Sequence, residues 1–219
     1  MIKIENESVS NIARAIYSAR NAMNSWDKSD SDLEKGIVGS NDLALAKRLC
    51  SAGTDHRKFM RMIPVYLDII APLYFWKEFS TYKVGTVANS CSTMHKIHAK
   101  EFTLEDFSCE HLIDHYEDPS MNLNYGYKYP KAVMQDLINI LNHYRHWYLE
   151  TKDKKYWWQL IQLLPSSYNQ RRTVMLNYEV LANIYKSRRN HKLDEWHVFC
   201  EWIENLPYTE LITDKVEEN

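Results

Sequence analysis

The sequence has few of the residues that build phosphate loops, zinc ribbons and disulfide frameworks. Its 219 residues include only five glycines, six prolines and four cysteines. The glycines do not form the closely spaced patterns GxGxxG or GxxxxGK, so a glycine-rich phosphate loop is excluded. The cysteines are scattered without a CxxC pair, which argues against a zinc ribbon and against a dense disulfide framework.

Long apolar runs and an excess of charge of one sign are also missing. The formal net charge is −2, so no global basic field favours direct nucleic-acid binding. The most apolar stretch, 63–76, is interrupted by Asp68 and two prolines and does not predict a membrane span. The first ten residues lack the apolar core of a signal peptide, so the cytoplasm is the expected location.

Apolar and aromatic residues, by contrast, are plentiful. Hydrophobic residues make up 45% of the chain and aromatic residues 13%, a composition that excludes a disordered protein. A chain of this length buries on folding roughly 70% of the surface that its unfolded form exposes, so it needs no disulfide bonds or metal ions to stabilise its core. We therefore expect one domain over residues 1–219, with a surface loop at 27–41 and a frayed acidic tail at 208–219.

Apolar periodicity predicts helices joined by a few extended segments. The clearest helix begins at Pro130, where apolar residues repeat every three or four positions up to Tyr148. Further helices are predicted over 9–25, 42–53, 73–82, 154–164, 178–189 and 193–206, and extended segments over 58–70, 83–92 and 166–177. The fold class predicted is a helix-rich α+β domain with a small antiparallel or mixed sheet.

Several side-chain patterns are compatible with a metal site, a catalytic thiol or a phosphate site, but none of them is specific for one. His95 and His98 share a helical face if that segment is helical, but nine histidines produce such pairs by chance and no HExxH pattern occurs, so no metal site is expected. Cys91 with His95 is a conceivable nucleophile and base, although buried structural cysteine is the commoner role. The basic cluster 152–155 could receive a phosphate, but such clusters are more often solvated faces. The aromatic stripe 144–158 favours a core or subunit interface.

Two motifs in the first half of the chain follow one another closely. A short helix ends in the small-glycine turn Ser51-Ala52-Gly53, and His56 and Phe59 then stand in H-x-x-F spacing. The predicted helix 73–82 leads into the segment 82–95, which is small, β-branched and contains one glycine.

A third motif occupies the C-terminal third. Leu164-Pro165 precedes an extended segment that ends in Thr-Val-Met-Leu-Asn at 173–177. The next helix ends at Arg188, and Leu-Asp-Glu-Trp at 193–196 begins the last one. In order and spacing, from about residue 9 to residue 206, the three motifs resemble the flavin-dependent thymidylate synthase family.

The departures from that family fall on positions that the resemblance assigns to ligand binding. The family signature reads Arg-His-Arg-x-x-Ser-x-Asn-Glu-x-Ser-x-Arg-Tyr. Only its asparagine and its second serine are present here, as Asn89 and Ser92. The remaining signature positions hold Tyr82, Lys83, Val84, Val87, Ser90, Met94 and His95. The family's Ala-Arg before Leu-Pro is Leu160-Ile161 here, and Glu179 replaces the arginine that contacts the pyrimidine nucleotide. Each lost charge-assisted bond is worth about 1.5–3 kcal/mol.

The resemblance implies a nucleotide pocket formed between subunits of a homotetramer, with FAD as a possible cofactor. The predicted ligand-binding residues that stand on the resembling motifs are His56, Lys83, Asn89, Ser92, Asn177, Glu179 and Arg188. Arg57, Arg61, Arg171 and Arg172 are added to them as cations that could substitute, with Lys83, for the lost arginines. At Glu179 a carboxylate is expected to repel a phosphate or a uracil carbonyl, although it could accept hydrogen bonds from the amino group of another base.

Two functions stay open at this point. One is a diverged, non-catalytic protein that binds or sequesters a nucleotide-like ligand. The alternative is an FAD-dependent methyltransferase that converts dUMP or another pyrimidine nucleotide with methylenetetrahydrofolate and NADPH.

Overall fold

A computed structural model describes residues 2–116 and 128–213 of the chain, which contain four strands and eight α-helices. In chain order these are β1 Lys3–Val9, α1 Ile12–Ser18, α2 Ser40–Ser51, β2 Pro64–Pro72, α3 Leu73–Phe79, β3 Val87–Ser90, α4 Pro130–Thr151, α5 Lys154–Leu163, β4 Asn169–Asn177, α6 Tyr178–Arg188, α7 Asp194–Glu204 and α8 Glu210–Thr213. Short 3-10 helices occupy Ala19–Met23, Trp26–Lys28, Lys58–Met62 and Leu104–Asp106. The predicted helix-rich α+β class is confirmed.

The four strands form one antiparallel sheet in the order β1-β2-β4-β3. The amide of Ser10, just after β1, donates to the carbonyl of Pro64 at the start of β2 (3.3 Å). Likewise the amide of Leu73, just after β2, donates to the carbonyl of Tyr168, just before β4 (3.0 Å). Each bond joins the end of one strand to the start of its neighbour, as antiparallel pairing requires.

Several element ends differ from those predicted. Residues 58–62 form a 3-10 turn, so the extended segment begins only at Pro64. Strand β1 was not predicted, because five of its seven residues are polar or charged. Its two apolar residues, Ile4 and Val9, are only partly buried, so no buried face marks the strand in the sequence. The expected frayed tail holds helix α8 instead, with Leu211 and Ile212 buried, while residues 214–219 lie outside the described residues.

The chain divides into two compact units, and the first comprises Ile70–Glu78 and Ser90–Arg171. Its core packs α4 and α5 against the segment that follows β3, through Ile97, Phe102, Phe107, Ile138, Leu141 and Leu160. Asn142 of α4 accepts a hydrogen bond from the amide of Phe102 and donates one to its carbonyl, both at 2.8 Å. This bidentate contact fixes the segment after β3 on the long helix.

The second unit comprises Ile2–Ile69, Phe79–Asn89 and the chain from Arg172 onward. Phe79 stacks on Trp196 of α7 with 6.2 Å between ring centroids. The Tyr178 hydroxyl, at the start of α6, donates to the carbonyl of Pro207 (2.5 Å). These contacts seat α6 and α7 in one core. The single-domain expectation stays a prediction.

A buried carboxylate organises the loop before α2. Asp42 is completely buried and accepts hydrogen bonds from Arg20 (2.5 Å), Ser29 (2.6 Å) and Ser31 (2.5 Å). Two serines of the polar loop are thereby tied to the first turn of α2, which begins at Ser40. Among the described residues, no helix is both long enough and apolar enough to cross a bilayer.

Candidate functional site

The segment 83–92 runs along an edge of the sheet. Strand β3 lies last in the sheet order, and all four of its residues are exposed. Lys83, Asn89 and Ser92 are exposed as well. The Ser92 hydroxyl accepts hydrogen bonds from the amides of Met94 (3.1 Å) and His95 (2.9 Å), which makes a turn directly after the strand. These predicted site residues therefore face outward and do not enter an apolar core.

A glycine turn joins this segment to the start of α6 within the second unit. Gly85 has a φ of +80°, and a Cβ there would lie 2.9 Å from Asn177 Nδ2 and 3.2 Å from a methyl group of Val180. Only glycine combines this backbone conformation with so close an approach. Asn177 caps α6 by accepting a hydrogen bond from the amide of Val180 (3.1 Å). The side-chain oxygen of Asn177 is thus engaged by the helix.

Arg57 and Glu179, both predicted to bind ligand, bind each other. Arg57 Nη2 donates to Glu179 Oε1 (2.9 Å), and Arg57 Nε lies 2.7 Å from Glu179 Oε2. The second contact is ionic, because its geometry does not satisfy a hydrogen bond. Both side chains are buried. The adjacent guanidinium neutralises the Glu179 carboxylate, so its repulsion of a phosphate is weaker than that of an unpaired carboxylate.

Asn183, an exposed residue, is the third member of this group, and the sequence analysis did not predict it. Its side-chain oxygen accepts a hydrogen bond from Arg57 Nη2 at 3.3 Å. Residues 179 and 183 are one helical turn apart, so both point from α6 to the same place. That spacing was the signal available in the sequence, but nothing in the sequence marked Arg57 as the partner, 122 positions away.

Arg188, at the end of α6, is held by two aromatic rings. Its Nε donates to the hydroxyl of Tyr82 (2.9 Å), and its guanidinium carbon lies 4.9 Å from the ring centroid of Trp196. Cation–π contacts of this kind stabilise a partly desolvated guanidinium. Tyr82 stands at a signature position where the resembling family has arginine, so here that position supplies an acceptor for Arg188.

The remaining predicted residues are dispersed. His56 and Arg61 are exposed, and His56 lines a groove of about 410 Å³ beside Phe59 and Met62. Arg171 and Arg172 follow one another on β4, and partial burial lowers the pKa of Arg172. Ser92 and Arg171 belong to the first unit and the other nine predicted residues to the second.

Metal and thiol chemistry receive no support from this geometry. Within residues 2–116 and 128–213, no group of three or more His, Cys, Asp or Glu side chains is arranged to hold a metal ion. Cys91 is an exposed thiol. Its backbone is fixed, because its amide donates to Arg171 (2.9 Å) and its carbonyl accepts from Gln170 (2.6 Å).

Comparison with known proteins gives matches only at the level of structure. No family model and no curated protein sequence matches the chain. The flavin-dependent thymidylate synthase ThyX from Helicobacter pylori, complexed with FAD and dUMP, aligns with a TM-score of 0.70 over 98% of this chain and 100% of that one, at 16% identity. The UMP/dUMP methylase PolB from Streptomyces cacaoi, bound with 5-Br dUMP, aligns with a TM-score of 0.65 over 98% and 95%, at 15% identity.

The chain has the fold of the flavin-dependent thymidylate synthases. The resemblance stated from the sequence motifs is therefore confirmed for the fold. The thymidylate synthase fold extends across both units, since nearly the whole chain aligns.

The thymidylate synthase signature positions carry different chemistry in this chain. Of the three positions that hold Arg-His-Arg, Tyr82 accepts a hydrogen bond from Arg188, Lys83 is an exposed cation, and Val84 is an apolar side chain that is 90% exposed. One cation in place of two arginines and a histidine is a poor match for a dinucleotide's phosphates. The residues at these positions do not fit FAD.

Proposed function

We propose that this protein binds a nucleotide-like ligand without methylating it. The observation that carries the proposal is the alignment of nearly the whole chain with two proteins whose structures hold dUMP or a brominated analogue. A fold retained over such a length while identity falls to 15–16% is compatible with a retained pocket and altered chemistry. Because function resides in the site and not in the fold, the residues must carry the rest of the argument.

The ligand-binding residues that we retain lie in the second unit. Lys83 and Asn89 are exposed along the edge segment, and the turn at Gly85 positions that segment against Asn177. Arg172 is a partly buried cation, which suits a charge-assisted bond to a phosphate. Arg57 and Glu179 have a structural role in this proposal, because a ligand could reach either group only by breaking their ion pair.

Absence of turnover follows from the same residues. The resemblance assigns flavin and nucleotide phosphates to arginines, and those positions hold Tyr82, Val84 and Glu179 here. Flavin chemistry is therefore not part of the proposal. The FAD-dependent methyltransferase remains the second candidate, and the specific observation that favours it is the match to a ThyX structure complexed with FAD.

We further propose that the pocket is completed by association of subunits into a tetramer. The edge segment exposes apolar side chains that a partner could cover: Val84 is 90% and Val87 62% exposed. Trp147 and Trp158 of the first unit are each 41% exposed. Light scattering at micromolar concentration should give a mass four times that of the 26.1 kDa chain. A stable monomer would contradict the shared pocket.

The binding claim is tested by calorimetric titration with dUMP, UMP, CMP, AMP and GMP. At least one nucleotide should bind saturably, and Lys83→Gln should weaken that binding about tenfold, because one charge-assisted bond is lost. Lys77→Gln, which removes an exposed lysine on α3, is the matched control and should leave the affinity unchanged. Absence of binding across all five nucleotides would contradict the proposal.

The catalytic claim is tested separately. An assay for dTMP formation from dUMP with FAD, NADPH and methylenetetrahydrofolate should give no turnover, and the purified protein should lack visible flavin absorption bands. Turnover at a rate ordinary for an enzyme would establish the methyltransferase instead.

A further inference from the structure

A cavity in the first unit is lined by cations, imidazoles and aromatic rings. It measures about 340 Å³ and lies between the turn that follows Ser92 and the junction of α4 with α5. Its polar and aromatic walls are His95, His98, Tyr148, Lys152, Lys154 and Trp157. It contains none of the eleven predicted ligand-binding residues. The volume is near the lower end of the roughly 300–1,000 Å³ typical of small-molecule sites.

The two lysines at this cavity have no carboxylate partner among the described residues. Across the described ranges, no Asp or Glu lies within ion-pair distance of the ammonium group of either Lys152 or Lys154. Instead, Lys152 lies 6.0 Å from the ring centroid of Tyr148, and Lys154 lies 5.9 Å from that of Trp157. The nearby Asp153 is directed elsewhere, since it caps α5 and pairs with Lys155 (3.2 Å). None of the described residues that line the cavity carries a carboxylate that would repel an anion.

His98 supplies a buried polar atom that protein groups leave unsatisfied. Its Nδ1 is buried and has no hydrogen-bond partner among the described residues. Its ring is fixed edge-on to Tyr148 at 4.8 Å, and its carbonyl accepts a hydrogen bond from Arg145 (3.0 Å). Burial, together with the charges of Lys152, Lys96 and Arg145, lowers the pKa of His98. A buried nitrogen without a partner in so positive an environment calls for a hydrogen-bonding anion or water.

Trp157 offers a flat surface whose orientation is fixed. Its indole N–H donates to the carbonyl of Met94 (3.0 Å), and its ring is braced edge-on by Trp158 at 4.9 Å. A ring held in this way can stack on a planar ligand group without first losing rotational freedom. The cavity therefore combines an anion-binding end with an aromatic wall.

We propose that this cavity is a second ligand site, which takes a phosphomonoester joined to a planar ring, of the size of a mononucleotide. The phosphate lies between Lys152, Lys154 and the imidazole of His98, and the ring stacks on Trp157. The site shares no residue with Lys83, Asn89 and Arg172 of the nucleotide pocket proposed above, although two of its lining residues, Met94 and His95, stand at the last two positions of the family signature.

Nuclear magnetic resonance of the histidine rings tests this site directly. The His98 signal is assigned by its loss in His98→Gln, and the protein is titrated with AMP, inorganic phosphate and adenosine. AMP should shift the ring signals of His95 and His98 saturably and raise the pKa of His98, because a nearby anion favours the imidazolium. Phosphate alone should bind about tenfold more weakly, because it lacks the stacking contribution. Adenosine should give no saturable shift.

Two matched double variants measure the contribution of Lys152 and Lys154 to AMP binding. K152Q/K154Q should weaken AMP binding at His98 at least about tenfold, because charge-assisted contacts to the phosphate are lost. K186Q/K192Q removes the same charge from exposed positions in the second unit and should change the affinity by less than about twofold. An unshifted His98 signal at saturating AMP, equal affinities for AMP and adenosine, or unchanged AMP affinity in K152Q/K154Q would each overturn the proposal.

One further variant separates this inference from the proposed function. K83Q/R172Q alters the second unit, so it should leave the His98 response to AMP unchanged while it abolishes the calorimetric signal of the other pocket. Loss of the His98 response in this variant would show that AMP acts at His98 only through the other pocket, and the second site would be rejected.

Discussion

Arg57 in the second unit and the lysine pair Lys152 and Lys154 in the first unit lie in opposite environments. In the second unit the guanidinium of Arg57 is buried and paired with Glu179 at 2.7 Å. In the first unit the ammonium groups of Lys152 and Lys154 are exposed and lie near aromatic rings instead of carboxylates. A buried, paired charge contributes to the stability of the folded state. An exposed cation that has no carboxylate partner among the described residues remains available to bind a ligand. Charge in the sequence therefore does not by itself indicate a binding site.

The largest effect that this comparison predicts follows from breaking the buried pair. Glu179→Ala leaves the Arg57 guanidinium buried without its counter-ion, which should lower the free energy of unfolding by about 3–5 kcal/mol. Urea denaturation followed by circular dichroism measures the change.

A double variant is the control for this prediction. R57M/E179L removes both charges and should be close to the original protein in stability, because a buried ion pair can often be replaced by apolar side chains without loss. If Glu179→Ala is as stable as the original protein, the ion pair does not have the structural role given to it here.

The fold could be predicted from the sequence, but the ion pair between Arg57 and Glu179 could not. Helical periodicity from Pro130 and the Leu-Pro motif at 164–165 marked elements whose order is that of the thymidylate synthase fold. Arg57 was grouped with the ligand-binding residues as a cation that could substitute for the arginines missing from the family signature. Its partner lies 122 positions away, and no local pattern encodes a contact of that separation.

Nothing in the sequence marked the basic cluster at 152–155 as a ligand-binding site. Four consecutive residues with three lysines are typical of a solvated face, and Lys155 indeed pairs with Asp153 on the surface. The cavity arises because the turn after Ser92 brings His95 and His98 to the α4–α5 junction. Tertiary packing, and not spacing in the sequence, creates that arrangement.

A smaller effect is expected at Arg188, which is half-buried. Tyr82→Phe removes the hydroxyl that accepts a hydrogen bond from Arg188 (2.9 Å) but keeps the ring. Because Arg188 is half-buried and retains its contact with Trp196, the loss should be about 1 kcal/mol, below the usual range for a charged hydrogen bond. Denaturation curves of the two proteins give the difference. A change as large as that expected for Glu179→Ala would place Arg188 in the same class as Arg57.

A pH effect of comparable size is expected from a buried thiol in the second unit. Burial, with the nearby charge of Glu204, raises the pKa of Cys200 to about 11 from its ordinary value of 9.0. The unfolded chain therefore releases the thiol proton at lower pH than the folded chain does, so stability is complete below pH 9 and falls as the pH rises towards 11.

Stability should accordingly drop by about 1 kcal/mol between about pH 8 and pH 10. Urea denaturation at several pH values measures this slope, and Cys200→Ala should flatten it. Tyr185, whose hydrogen bond to Glu204 raises its pKa to about 12, and Tyr178, whose pKa is raised by burial, add to the slope as the pH approaches 10, the ordinary tyrosine value, so the Cys200 effect is read at the lower end of this range. An equal slope in Cys200→Ala would assign the effect to another group.

The smallest stability effect is expected where the cations are exposed. K152Q/K154Q removes two charges that have no carboxylate partner in the described parts of the chain, so the free energy of unfolding should not fall measurably. Thermal and urea denaturation of the variant and the original protein both measure this difference in stability. A clear loss of stability would mean that these lysines have a structural role, as Arg57 has.

The most direct test of the contrast between the two units is one AMP titration, monitored at the His98 ring, in R57M/E179L and in K152Q/K154Q. The account predicts that R57M/E179L retains the affinity of the original protein, because a buried pair is replaced by apolar side chains, and that K152Q/K154Q binds at least about tenfold more weakly. The reverse result, with binding lost in R57M/E179L and retained in K152Q/K154Q, would contradict it.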